Sequence, residues 1–168
     1  MSVTSAESIA SDGTGKQLRV LAFEAWDGGS HRAVRESIQR HASMDWHWLT
    51  LPRGNWRIRL RLGAVALSKM ATEAVGVPDV LFATSLMSFS DLLALLPREY
   101  SAAKRVFYVH EHQACYPAQD GRHDHRDAHA TATNLTSMLA ADCILWNSQW
   151  TRDSFLEAAD DLIRLGSL

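Results

Sequence analysis

The sequence predicts an α/β fold: one Rossmann-like domain with a mainly parallel sheet covered by helices on both faces. Three observations carry this. Five short apolar runs rich in β-branched, leucine and aromatic residues recur at 18–24, 47–51, 79–84, 104–109 and 142–146. Longer stretches with helical apolar spacing separate them, several closed by glycine or proline. Strands that alternate with helices pair in parallel, because each crossover helix returns the chain to the same end of the sheet. The 168 residues, 46% hydrophobic and 21% charged, suffice for one soluble core.

Residues 1–17 read as a disordered leader, rich in Ser, Thr, Ala and Gly with almost no large apolar side chain. The domain then runs over 18–168. Its first strand covers 18–24 and leads into Asp27-Gly28-Gly29-Ser30-His31, followed by a helix carrying Val34 and Ile38 and ending near His41. A second strand at 47–51 closes at Pro52-Arg53-Gly54. Asn55 is a good N-cap for a helix through about residue 74, with Ile58, Leu62, Val65, Leu67 and Met70 as its apolar stripe. Arg53, Arg57 and Arg61, spaced by four, would share a flank near its start. Gly76 and Pro78 stop it before the third strand at 79–84. Ser90 is expected to cap a leucine-rich helix that Pro97 ends. The fourth strand, 104–109, leads to a polar loop at 119–126, a helix over 127–141, the fifth strand and a last helix around 150–159.

Composition excludes several classes. A formal charge of −2 gives no global attraction to nucleic acid, which leaves only a local basic patch. Two distant cysteines, Cys115 and Cys143, make neither a disulfide framework nor a metal-type spacing, which fits a reducing cytoplasm. No apolar stretch approaches the roughly 20 residues that span a bilayer, and no secretory signal opens the chain. No membrane association is therefore expected.

The stretch around His110 is the first candidate site. The apolar strand stops abruptly, and His110, Glu111, His112 and Gln113 follow before Tyr116 and Pro117 turn the chain. In open α/β sheets ligands collect beyond the carboxyl ends of strands. An imidazole there can donate to a substrate hydroxyl, and a carboxylate can orient it. An ordinary polar loop is the alternative. Gly28-Gly29-Ser30-His31 is the second candidate, since paired glycines let backbone N–H groups approach an anion at a helix N-terminus. It is neither a dinucleotide fingerprint nor a P-loop, and a structural turn remains open. The pairs His110/His112 and His123/His125, with His129, raise a metal reading, yet no recognised ligand spacing supports it and no metal is expected. A third candidate is the cluster Arg53, Trp56, Arg57, Arg59 and Arg61, in which arginines can hold RNA phosphates beside a stacking ring.

Taken together, Phe23-Glu24-Ala25 with Gly28-Gly29-Ser30-His31, residues 81–85 with Asp91-Leu92, 108–113 with Tyr116-Pro117, and Asp142 with Asn147-Ser148 resemble the tRNA-queuosine mannosyltransferase family. The resemblance covers about 18–155 in order. It implies the N-terminal, acceptor-side half of a GT-B glycosyltransferase, a retaining hexosyltransferase moving mannose from GDP-mannose to queuosine in the tRNA anticodon. It places Gly28, Gly29, Ser30 and His31 near the donor, His110 near the transferred sugar, and Glu111, Gln113 and Tyr116 among the polar contacts. Arg53, Trp56, Arg57 and Arg61 would face RNA. The donor is a substrate, so no cofactor is implied. His112 stands where the family usually has asparagine. The C-terminal donor domain is expected to be absent from this chain, as a missing or separate partner, which leaves its activity alone open. The alternatives are a non-catalytic RNA-binding module and a metal-dependent hydrolase using the histidines.

Overall fold

The computed structural model describes residues 17–72, 76–115 and 128–166. The expected leader over 1–16, the polar loop over 119–126, Tyr116, His123 and His125 lie outside these residues. The elements run β1 (Arg19–Asp27), α1 (Gly29–His41), β2 (Asp45–Pro52), α2 (Trp56–Ala71), β3 (Val80–Thr84), α3 (Phe89–Leu95), a 3-10 turn (Arg98–Ala102), β4 (Lys104–Val109), a 3-10 turn (Gln113–Cys115), α4 (Ala128–Leu139), β5 (Cys143–Trp146) and α5 (Gln149–Gly166). All five expected strands are present. They form one sheet in the order β2-β1-β3-β4-β5, and every neighbouring pair is parallel. The fold is the α/β, Rossmann-like domain that the alternating pattern predicts.

Because side chains alternate across a strand, β1 to β4 each feed two cores. Leu21, Phe23, Leu81, Ala83, Phe107 and Val109 point to the larger one, where Leu67, Leu92, Met138 and Phe155 from the helices meet them. Helices α2, α3, α4 and α5 pack in succession over that face. Val20, Ala22 and Phe82 point the other way, into a smaller core with Ile38, Trp46, Trp48, Val106 and Tyr108. Among the described residues α1 is the helix that packs on this second face, so the sheet is covered on both sides but unequally.

Two local expectations are corrected. Of the expected α2 stripe, Leu67 and Met70 meet the core, but Ile58, Leu62 and Val65 face solvent, at 56%, 58% and 43% exposed. The buried face is Leu60, Gly63, Ala64, Leu67, Ser68 and Ala71. The reason is distance: a Cβ on Gly63 would sit 3.0 Å from Ala25 Cβ, so the helix lies close on β1 and only small side chains fit between. The α3 cap is Ser88, whose hydroxyl accepts from Asp91 N; Ser90 lies inside the helix. Strand β1 also outruns its expected end by three residues to Asp27, and α5 extends to Gly166. Asn55 caps α2 as its sequence position suggests, accepting from Arg57 N and Ile58 N.

No described helix is long and apolar enough to cross a membrane.

Candidate functional site

Strand order fixes where a site can form. The chain leaves β1 toward β2 on one side and returns through α2 to β3 on the other, so connections diverge at the carboxyl ends of β1 and β3. Such a switch point opens a crevice at the strand ends. Glu24 of β1, Thr84 of β3 and His110, just after β4, all lie there.

Glu24 is 1% exposed. A buried carboxylate must be paired to be tolerated, and its two oxygens are used. Oε1 accepts Trp26 N at 2.8 Å, and Oε2 accepts His31 Nδ1 at 3.0 Å. The first contact bends the chain at the end of β1, and the second ties the strand to the first turn of α1. Gly29 takes φ of 53° there, a left-handed conformation that glycine adopts without Cβ strain. Gly28 is glycine for another reason: a Cβ would meet Arg53 Cβ at 3.0 Å.

His31 is 3% exposed, and its Nε2 has no hydrogen-bond partner. Glu111 Oε1 lies 3.9 Å from that atom, beyond hydrogen-bond length but close for charges. Burial works to lower the pKa of His31. The facing carboxylates of Glu111 and Glu24 outweigh it and raise the value to about 9. The ring is therefore an imidazolium at neutral pH.

His110 packs against it with ring centroids 4.3 Å apart. Its Nε2 is 3.1 Å from Ser30 Oγ, and its Nδ1 is buried without a partner. Burial first, and then the charge of His31, push the pKa of His110 below its ordinary value, so this ring is neutral. Two adjacent histidines thus hold opposite protonation states. Glu111 sits at the mouth with its side chain 31% exposed. Gln113 Nε2 donates to Glu111 Oε1 at 3.2 Å, and Ser85 Oγ donates to Glu111 O at 2.6 Å.

Of the residues singled out from sequence, the fold brings Gly28, Gly29, Ser30, His31, His110, Glu111 and Gln113 to one place. Tyr116 lies outside the described residues. Glu24 and Ser85 belong to the cluster and were not singled out as site residues. Both lie in segments that carry the family resemblance, Phe23-Glu24-Ala25 and 81–85; Glu24 is also a lone carboxylate inside an apolar strand.

His112 does not join His110. Its Nε2 reaches Ser154 Oγ at 3.0 Å, and its ring lies among Trp150 and Phe155. The two imidazoles diverge rather than converge on one point. Among the described residues no group of three or more His, Cys, Asp or Glu side chains could hold a metal ion. His129 is on α4 beside Thr133.

The arginine cluster adjoins the glycine loop. Arg53 precedes α2 rather than extending its flank, and its side chain covers Gly28. Trp26 Nε1 donates to Gly54 O at 2.9 Å, which fixes this loop to the end of β1. Arg59 Nη2 turns back to Pro52 O at 2.9 Å. Arg57 lies 4.5 Å over the ring of Trp56, and Arg61 is exposed on α2.

Comparison with known proteins agrees with this arrangement of motifs. The family model described as tRNA-queuosine alpha-mannosyltransferase N-terminal matches residues 19–166. A Drosophila melanogaster protein named tRNA-queuosine alpha-mannosyltransferase is 30% identical over 147 residues. That match covers 87% of this chain and 38% of the fly protein, so the chain spans well under half of that relative's length. No solved structure matches. With its motifs gathered at the carboxyl ends of the strands and nearly the whole described chain inside the family match, the chain belongs to the tRNA-queuosine alpha-mannosyltransferase N-terminal family.

Proposed function

We propose that the chain is the acceptor-side domain of a retaining GT-B glycosyltransferase that moves mannose from GDP-mannose to the cyclopentenediol of queuosine in a tRNA anticodon. The observation that carries this is the pairing of a neutral His110 with a cationic His31 at the carboxyl ends of β1 and β4. Transfer from a nucleotide sugar leaves negative charge on the departing diphosphate. A fixed imidazolium beside the N-terminal N–H groups of α1 stabilises such charge without reorganising. His110, whose Nε2 is held by Ser30 and whose buried Nδ1 has no partner, is the group that meets a sugar hydroxyl once its ring turns into the crevice. Glu111, at the mouth, accepts from an acceptor or sugar hydroxyl, with Gln113 fixing its carboxylate. Donor nucleotide contacts fall to a second, C-terminal domain. A tRNA substrate fits a cytoplasmic location.

The test is product formation. Queuosine-containing tRNA and GDP-mannose are incubated with the chain alone and with the chain joined to a relative's C-terminal domain. Digested nucleosides are then read by mass spectrometry. Mannosyl-queuosine from the joined protein is the expected result, and its absence there overturns the reading.

A second reading, RNA binding without transfer, is favoured by the Arg57–Trp56 pair beside the glycine loop. Transfer lost in His110→Ala with RNA affinity unchanged separates the two in favour of catalysis.

A further inference from the structure

Trp150 lies in the first turn of α5 just beyond β5, at the same carboxyl end of the sheet as His110. An indole left in water forgoes a large burial gain, yet this one is 68% exposed. Its orientation is nevertheless set. The ring stacks on His112 with centroids 6.2 Å apart and planes within 19°. His112 is only 4% exposed and is held by Ser154 Oγ and the edge of Phe155. Ser154 Oγ also donates to Trp150 O at 2.7 Å, which links the hydroxyl, the imidazole and the indole. The indole runs nearly parallel to the His112 ring, and most of its surface is open to solvent. A ring already oriented loses little freedom when something stacks on it.

Topology shows what lies opposite. Strands β2 and β5 are the two edges of the sheet. Arg53, Trp56 and Arg57 follow β2, Trp150 follows β5, and His110 follows β4 between them. Four inter-strand steps of about 4.8 Å set these edges roughly 19 Å apart. Basic side chains at one edge suit phosphates, and an open aromatic ring at the other suits a base. The immediate neighbours Asn147, Gln149, Arg152 and Asp153 are polar and exposed, which suits a nucleic-acid partner better than an apolar protein surface.

We propose that Trp150 is a stacking platform for an unpaired base of the acceptor RNA, positioning the loop so that a neighbouring nucleotide reaches His110. This rests on the function proposed above and adds the residue that orients its acceptor.

The experiment measures binding of a queuosine-containing anticodon stem-loop RNA to the wild type, Trp150→Ala and Trp150→Phe over a salt series. Circular dichroism checks that each variant is folded. Loss of one stacked base should weaken binding about 5- to 100-fold in Trp150→Ala. Trp150→Phe should retain most of the affinity, and the salt slope should stay unchanged because no phosphate contact is lost. An abasic substitution scanned through the loop should find one position whose loss is not additive with Trp150→Ala. Equal binding by wild type and Trp150→Ala overturns this inference alone. No binding by the wild type overturns it together with the function on which it rests.

Discussion

Glu24 Oε2 accepts the Nδ1 proton of His31 at 3.0 Å, with both side chains almost wholly buried. The pair makes stability depend on pH. His31 has a folded pKa of about 9 against an ordinary 6.5. Its contribution is therefore complete below about pH 6.5 and is lost as pH rises from there through about 9. A difference of this size corresponds to on the order of 3 kcal/mol. Urea unfolding of the wild type should show a fall across that window, and the fall should shrink in Glu24→Gln, with Glu111 carrying the remainder. That variant should itself cost about 3–5 kcal/mol at pH 7, because it leaves a buried imidazole short of its counter-charge. A His31 resonance titrating near 6.5 in the wild type would sink this account.

The acid limb has a different source. Burial pushes His110 and His112 below their ordinary pKa. Groups with depressed values contribute stability that is present above about 6.5 and lost as pH falls through their folded pKa. The protein should thus lose stability below pH 6.5 through these two rings. Replacing His112 with Asn should flatten that limb in part, while leaving the fall above pH 7 in place. Unfolding free energies at pH 4.5, 5.5 and 6.5 for both proteins decide it.

Transfer should depend on the neutral ring. On the proposed function, His110→Ala lowers the rate of mannose transfer by about 100- to 10,000-fold, the range for a positioned acid–base group. Its far-UV spectrum should remain that of the wild type. A variant with full activity removes His110 from the chemistry.

Strand positions, strand number and parallel pairing were legible because each apolar run is short, bounded and separated by a helical stretch. The clustering was legible where it is local: Gly28 to His31, and His110, Glu111 and Gln113, lie in two short segments at strand ends, while His112 turns away to Ser154. What was not legible depends on distance between elements. Glu24 looked like a polar interruption of β1, because its partner His31 is fixed only once α1 folds back on the strand end. The α2 face was read in part: Leu67 and Met70 meet the core as expected, whereas hydrophobicity also favours Ile58 and Leu62, and close approach to Ala25 selects Gly63 and Ala64 instead.

That reversal is measurable. Leu60→Ala should cost about 2–5 kcal/mol, because Leu60, outside the expected stripe, is buried on the inward face of the helix. Leu62→Gln should cost within about 0.5 kcal/mol, because its side chain is largely in water. Chemical denaturation of the two variants ranks the faces of α2, and a larger loss in Leu62→Gln would contradict the observed packing.

The arginines make the last prediction, and salt is the variable that isolates it. Arg57 and Arg61 are exposed on α2 next to the loop that carries Arg53 against Gly28. Exposed charges hold RNA through its phosphates and release counterions, so each such contact adds to the slope of log affinity against log salt. A single-stranded contact contributes about 0.7 to that slope. Alanine at both Arg57 and Arg61 should therefore weaken RNA binding for every sequence tested and flatten the slope by about 1.4 if each meets one phosphate. Stacking at Trp150 should leave the slope alone, so the two edges of the sheet give different signatures in one titration. An unchanged slope in the double variant would mean that RNA does not cross the β2 edge. The arginines would then be solvated charges, and the acceptor would have to enter over β4 and β5.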